Sequence, residues 1–153
     1  MKEKEIALIG IGNVLRGDDG LGNYIVEKIE QLHIKNVRTI IVHQLHVELL
    51  EELKDFDSII FVDASLKSDE FIFEEIKSNS SAPLSSSHRI NAEMFVQLAR
   101  KLYQSNTRFY SCAIKGYDFD MGENLSPQAK SNTEKAIEQL TCFIKSQISN
   151  PKL

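Results

Sequence analysis

The stretch Gly10-Ile-Gly12-Asn13-Val14-Leu15-Arg16-Gly17-Asp18-Asp19-Gly20-Leu21-Gly22 joins an apolar run, Glu5-Ile-Ala-Leu-Ile-Gly10, to an amphipathic segment, Gly22 to His33. The run reads as a buried strand and the segment as a helix with one apolar face. Five glycines and two adjacent carboxylates in this connection exceed what a purely structural turn needs. A strand, loop and helix in this order open an α/β unit, with the carboxylates at the carboxyl end of the first strand.

The rest of the chain repeats the alternation. Val37 to Val42 is a short β-branched strand, and Val47 to Lys54 reads as a helix with Val47, Leu50 and Leu53 on one side. Ser58 to Asp63 holds the continuous apolar run Ile59-Ile60-Phe61-Val62, as in a strand covered on both faces. Glu70 to Ile76 is a further strand. Too few residues separate it from Asp63 for a parallel crossover, so it is expected to pair antiparallel with its predecessor. Ser78 to Ser87 reads as a loop. Asn91 can cap a helix to about Tyr103, with Phe95, Leu98, Ala99 and Leu102 on one face. Arg108 to Ile114 is the fifth strand and Gly116 to Leu125 a long acidic loop. Ser126-Pro127 starts a last helix striped with Ile137, Leu140, Ile144 and Ile148. The alternation predicts one domain over residues 1–153, a three-layer α/β/α sandwich with a mostly parallel five-stranded sheet and one antiparallel edge strand.

Composition narrows the function. The net charge is −4, from 18 basic and 22 acidic residues without a basic cluster, so a nucleic-acid footprint is not expected. No apolar run approaches the roughly 20 residues of a membrane span. Cys112 and Cys142, far apart, form neither a disulfide framework nor a zinc cage, which points to a cytoplasmic protein. The Gly10-x-Gly12 start lacks the third glycine of a dinucleotide fingerprint, and no Walker lysine or Gly-x-Ser-x-Gly elbow occurs. Cys112, inside a strand, reads as a small core residue.

Ligands of mostly parallel sheets bind outside the carboxyl ends of the strands. Asp18 and Asp19, Asp63 and His88 are the polar residues that this rule selects. Taken singly, Asp63 reads equally well as a turn or cap residue, and His88 reads as an ordinary loop histidine. Together they give an O,O,N set suited to a borderline divalent ion with positions left open. Only one of Asp18 and Asp19 is needed, since neighbouring side chains at a helix entrance point apart. The other can accept hydrogen bonds from the first-turn amides of the helix.

These residues resemble the hydrogenase maturation endopeptidases, which trim the large subunit of nickel-iron hydrogenases. That family opens with Gly-x-Gly-Asn-x-x-x-x-Asp-Asp/Glu-Gly/Ala-x-Gly, matched from Gly10 to Gly22. It has an Asp at the end of a later apolar strand, matched by Asp63, and a His opening a helix after a loop, matched by His88. It also has a Gly-x-x-Leu-Ser/Thr-Pro turn, matched by Gly122-Glu-Asn-Leu125-Ser126-Pro127. The resemblance implies that Asp19, Asp63 and His88 are the metal-contacting and catalytic residues. It implies an endopeptidase that removes the C-terminal extension of a large-subunit precursor after nickel insertion. The cut would fall after a His or Arg three positions beyond the last nickel-binding cysteine, with the substrate's nickel as the recognition signal.

Nickel would thus come with the precursor and be held weakly by the free protein, which is expected to be a monomer without nucleic-acid or membrane partners. A carboxylate not engaged by the metal, Asp18 or Asp19, would be the general base. The Ser78 to Ser87 loop would act as a lid that brings in His88. Where many members carry Asp-Gly-Gly, this chain has His43-Gln44-Leu45-His46, as in the branch serving soluble NAD-linked bidirectional hydrogenases. His43 and His46 either join the site or contact substrate, or His43 is a half-buried strand-end residue. A non-catalytic nickel-sensing checkpoint that binds the large subunit is the alternative function. A spore-type protease of similar fold is a weaker third.

Overall fold

The computed structural model describes residues 4–66, 70–77 and 91–149. Its strands are β1 (Ile6–Ile11), β2 (Val37–Val42), β3 (Ser58–Ser65), β4 (Phe71–Ile76) and β5 (Arg108–Lys115). Its helices are α1 (Leu21–Glu30), α2 (Leu49–Leu53), α3 (Ala92–Tyr103) and α4 (Pro127–Ser149). The sheet order is β2-β1-β3-β5-β4, parallel throughout except for β4 at one edge. The expected α/β/α architecture is therefore present.

Alternation along the strands builds two cores. Ile6 and Leu8 of β1, Ile60 and Val62 of β3, and Tyr110, Cys112 and Ile114 of β5 face α1 and α4. Ala7 and Ile9, Ile59 and Phe61, and Phe109 face α2 and α3. Leu21, Ile25, Val26 and Ile29 of α1 are at most 1% exposed, and each such side chain stabilises the fold by about 1.5–3 kcal/mol. On α4, Leu140 and Ile144 are fully buried and Ile137 and Ile148 partly so. Asn91 caps α3 as expected, its Oδ1 accepting from Met94 N at 2.8 Å.

Three expectations need correction. The edge strand β4 is antiparallel, but its partner is β5 and not its predecessor. Both sides of β3 are taken by parallel neighbours, β1 and β5, whose buried faces match its own, and β4 is left the outer position. The helix expected over Val47 to Lys54 shortens to Leu49–Leu53. Residues 46–48 instead form a turn in which Leu49 N and Leu50 N donate to the carbonyls of His46 and Val47. On α3 the buried face is Phe95, Val96 and Ala99, whereas Leu102 is 58% exposed.

The chain leaves β1 toward β2 on one side and later continues through β3 and β5 on the other. The carboxyl ends of β1 and β3 therefore flank the switch point, where open α/β sheets leave a crevice. The last paired residues there are Gly10 and Val62, and Asp63 is the next residue of β3. Helix α1 enters against this point. A Cβ on Gly22 would lie 2.2 Å from the Val62 carbonyl oxygen, so only glycine lets the helix start so close to β3.

Candidate active site

The connection after β1 folds as a set of short local bonds. Gly12 has φ +144°, and a Cβ there would sit 2.0 Å from the Asp19 carbonyl oxygen. Asn13 Oδ1 accepts from Leu15 N at 2.9 Å, and Arg16 N donates to the Asn13 carbonyl at 3.1 Å. One helical turn, Gly17–Gly20, then carries both carboxylates into α1. Asn23 of α1 reaches back, with Nδ2 donating to the Gly12 carbonyl at 3.4 Å.

The two neighbouring aspartates have different environments. Asp18 is fully buried. Its Oδ2 accepts from Tyr117 N at 2.7 Å, Asp118 N at 2.9 Å and Ser126 Oγ at 2.6 Å, and its Oδ1 from Ser126 N at 2.7 Å. Burial pushes this carboxyl up. The bonds from Ser126, Tyr117 and Asp118 outweigh it and hold the group below its ordinary value. Ser126 Oγ also accepts from Ala129 N at 3.3 Å, so it caps α4 while it holds Asp18. Asp18 therefore binds the loop before α4 rather than the first-turn amides of α1, and a saturated, inaccessible carboxylate is not a general base.

Asp19 faces the other way. Its Oδ2 accepts from Asn13 N at 2.8 Å, and its side chain lines a cleft of about 370 Å³ over the switch point. Asp63 lines the same cleft, half-buried, its Oδ1 accepting from Ala64 N at 2.8 Å. Asn13, Arg16, His43 and Ser111 complete much of the wall, with Asn91 from the start of α3. A second, more apolar cleft of about 810 Å³ lies beside it, and Arg16 and Asp19 are common to both. A cleft of about 450 Å³ at the opposite sheet edge, near Ser58 and Thr107, holds neither carboxylate.

Asp19 and Asp63 thus share one cavity. His88 lies outside the described residues, as does the whole Ser78 to Ser87 loop. The reason for expecting His88 there also changes. Because β4 runs antiparallel, its carboxyl end lies at the far edge of the sheet, and Asn91 marks the return of the chain to the cleft. His43 is exposed and lines the cleft rather than being half-buried. The cleft contributions of Arg16, Ser111 and Asn91 were not read from the sequence, although Arg16 lies inside the quoted loop. Among the described residues, no three His, Cys, Asp or Glu side chains are gathered as a metal site. No helix among them is long and apolar enough to cross a membrane.

Comparison with known proteins finds hydrogenase maturation proteases of the same fold. HycI, a [NiFe] hydrogenase maturation protease from Thermococcus kodakarensis KOD1, superposes with TM-score 0.76 at 20% identity, covering 94% of each chain. The hydrogenase maturating endopeptidase HybD from E. coli gives 0.68 at 18% identity and 93% of each chain. A hydrogenase 2 maturation peptidase from a Thaumarchaeota archaeon gives 0.70 at 17%, covering 93% of this chain and 99% of that one. At these identities the likeness establishes the fold. In sequence, a Methanocaldococcus jannaschii protein, named as a proposed hydrogenase maturation protease, is 42% identical over 67 residues. That alignment spans 42% of this chain and 44% of the relative. No family model matches the chain. The family that the Gly10 to Gly22 block resembles is thus the family of these relatives.

Proposed function

We propose that this protein is an endopeptidase that removes the C-terminal extension of a nickel-iron hydrogenase large-subunit precursor once nickel has been inserted. The observation that carries the reading is the meeting of Asp19 and Asp63 in one solvent-open cleft at the switch point, in a chain with the maturation-protease fold. Asp19, Asp63 and His88 would contact the nickel of the precursor and so position the scissile peptide. The two carboxylates supply hard oxygen donors, and the imidazole supplies nitrogen. The short distance along the chain from His88 to Asn91, which lines the cleft, supports its membership.

Substrate-delivered nickel is consistent with a sparse site. Two carboxylates, one in the turn before α1 and one near the end of β3, hold a free ion poorly, whereas a metal already ligated by a protein brings most of its coordination with it. Asp18 is spent on structure, so the general base is one of the two cleft carboxylates. A base must lie within hydrogen-bond reach of the attacking water, and both side chains line the space where the peptide would lie.

The test is mass spectrometry of the precursor incubated with the purified protein, with and without nickel loaded. Loss of a C-terminal peptide only from the nickel-loaded precursor is the expected result. Binding without mass loss would overturn the endopeptidase reading in favour of a nickel-sensing checkpoint. Cleavage irrespective of nickel would remove the metal trigger.

A further inference from the structure

Arg16 stands at the junction of the two clefts, beside Asp19 in both. Its backbone is fixed on both sides. Arg16 N donates to Asn13, Asp19 N donates to the Arg16 carbonyl at 3.0 Å, and the residue forms an isolated bridge with Gly122. Gly17 N bonds the Gly122 carbonyl at 2.7 Å, and Gly122 N bonds the Leu15 carbonyl at 2.8 Å, which clamps the loop on either side of Arg16. The side chain is exposed, and no hydrogen bond or ion pair is formed by its guanidinium among the described residues. The other described arginines differ. Arg38 and Arg108 hold Glu52 and Glu75, and Arg100 donates to the Ser105 carbonyl. A permanent cation on a rigid anchor, facing a cavity with two carboxylates, contributes nothing visible to the fold.

We propose that the Arg16 guanidinium donates to the oxyanion that develops on the scissile carbonyl. This rests on the endopeptidase reading above. In the step concerned, a water oxygen bonds to the carbonyl carbon and gives one proton to a cleft carboxylate. The C=O π pair moves onto the carbonyl oxygen, where the Arg16 N–H groups meet it. That pair then returns, the C–N bond breaks with its electrons going to nitrogen, and the carboxylate passes its proton to the nitrogen. The products are a new carboxyl terminus and a free amine.

Arginine suits this task because its fork of donors stays charged at any working pH and can pair with an oxyanion through two parallel bonds. The neighbouring carboxylates disfavour extra negative charge in the cleft, so a fixed cation has the most effect when the oxygen acquires its charge. Such a donor acts on the transition state more than on the bound ground state, where the carbonyl is neutral.

The experiment is steady-state processing of nickel-loaded precursor by wild type, Arg16→Ala and Arg16→Lys, with the precursor affinity of each measured by calorimetry. Arg16→Ala is expected to lower kcat by about 10²–10³-fold, the usual effect of removing one oxyanion donor, while precursor affinity and the urea midpoint stay near wild type. Arg16→Lys should recover part of the rate, since a single ammonium keeps the charge but not the fork. Unchanged kcat in Arg16→Ala would overturn the proposal, as would a raised KM with kcat intact, which marks a docking contact. If wild type binds the precursor but does not cut it, the endopeptidase reading has failed and the oxyanion role falls with it. Cleavage by wild type and by Arg16→Ala at the same rate overturns the Arg16 role alone.

Discussion

Replacing Asp18 tests whether a buried carboxylate, rather than a hydrophobic contact, fastens the loop after β5 to the loop after β1. In Asp18→Ala, three backbone amides, those of Tyr117, Asp118 and Ser126, lose their acceptor inside the protein. Hydrogen bonds to a charged group contribute about 1.5–3 kcal/mol each. Taking the lower end for three amides gives about 4–5 kcal/mol, and water entering the vacated space brings the expected loss to about 3–4 kcal/mol. The Ser126 hydroxyl can turn away and adds little. That is a large part of the roughly 5–15 kcal/mol that holds a domain folded, so the variant should fold but with a much lower urea midpoint.

Asp18→Asn keeps one oxygen. Placed where Oδ2 is now, it can accept the three bonds made there, but its NH₂ then meets the Ser126 N–H, donor against donor, at the present 2.7 Å. The expected cost is about 2 kcal/mol, at an unchanged m-value. The pH dependence follows in sign from the lowered carboxyl. A folded-state value below the unfolded value of about 3.9 gives stability that is fully present above that value and lost as pH falls through the folded one. The gap between wild type and Asp18→Asn should therefore narrow between pH 6 and pH 3. Urea titrations at both pH values measure it. A loss in Asp18→Ala within about 0.5 kcal/mol, the range of ordinary surface changes, would refute the reasoning, as would a gap that widens in acid.

Gly12→Ala places a methyl group on the Asp19 carbonyl in a backbone region that suits glycine, so thermal melting should show a loss above about 3 kcal/mol together with lost processing. Asn91→Ala removes the cap of α3 and should cost about 1 kcal/mol in urea denaturation. Asp63→Ala should reduce precursor processing by at least about 100-fold, read by mass spectrometry, and processing at wild-type rate would contradict the role assigned to this cleft. Metal analysis of the purified protein should find nickel well below one ion per chain, and a stoichiometric, dialysis-resistant ion would argue against substrate delivery.

How far the sequence reveals the fold depends on the range of the interactions involved. The alternation of strand and helix is set by local periodicity, so β1, β2, β3, β5 and α3 fall within a residue or two of where the pattern puts them. The antiparallel sense of β4 follows from the short chain between it and β3. Its partner does not, because β5 is about 30 residues further along and competes for the same edge. Loop length limits direction, whereas neighbour choice is decided by which buried faces match.

The aspartate pair shows the same limit at the site. Two adjacent carboxylates after a strand are readable as one structural and one functional group, but which is which depends on residues about a hundred positions away. The donors that bind Asp18 are mostly backbone amides, and an amide carries no side-chain signature in the sequence. Only Ser126 offered one, and its place before Pro127 read as a helix start rather than as a partner for Asp18. The two roles also depend on each other. Gly17, Asp18 and Gly122 lock the turn against the loop before α4, and this lock leaves Asp19, the next residue, aimed into the cleft with Asp63. Exchanging the two environments should therefore be impossible by a single substitution. A carboxylate lost at position 18 would disorder the aim of the one at position 19, whereas a carboxylate lost at position 19 would leave the lock, and the stability it contributes, in place.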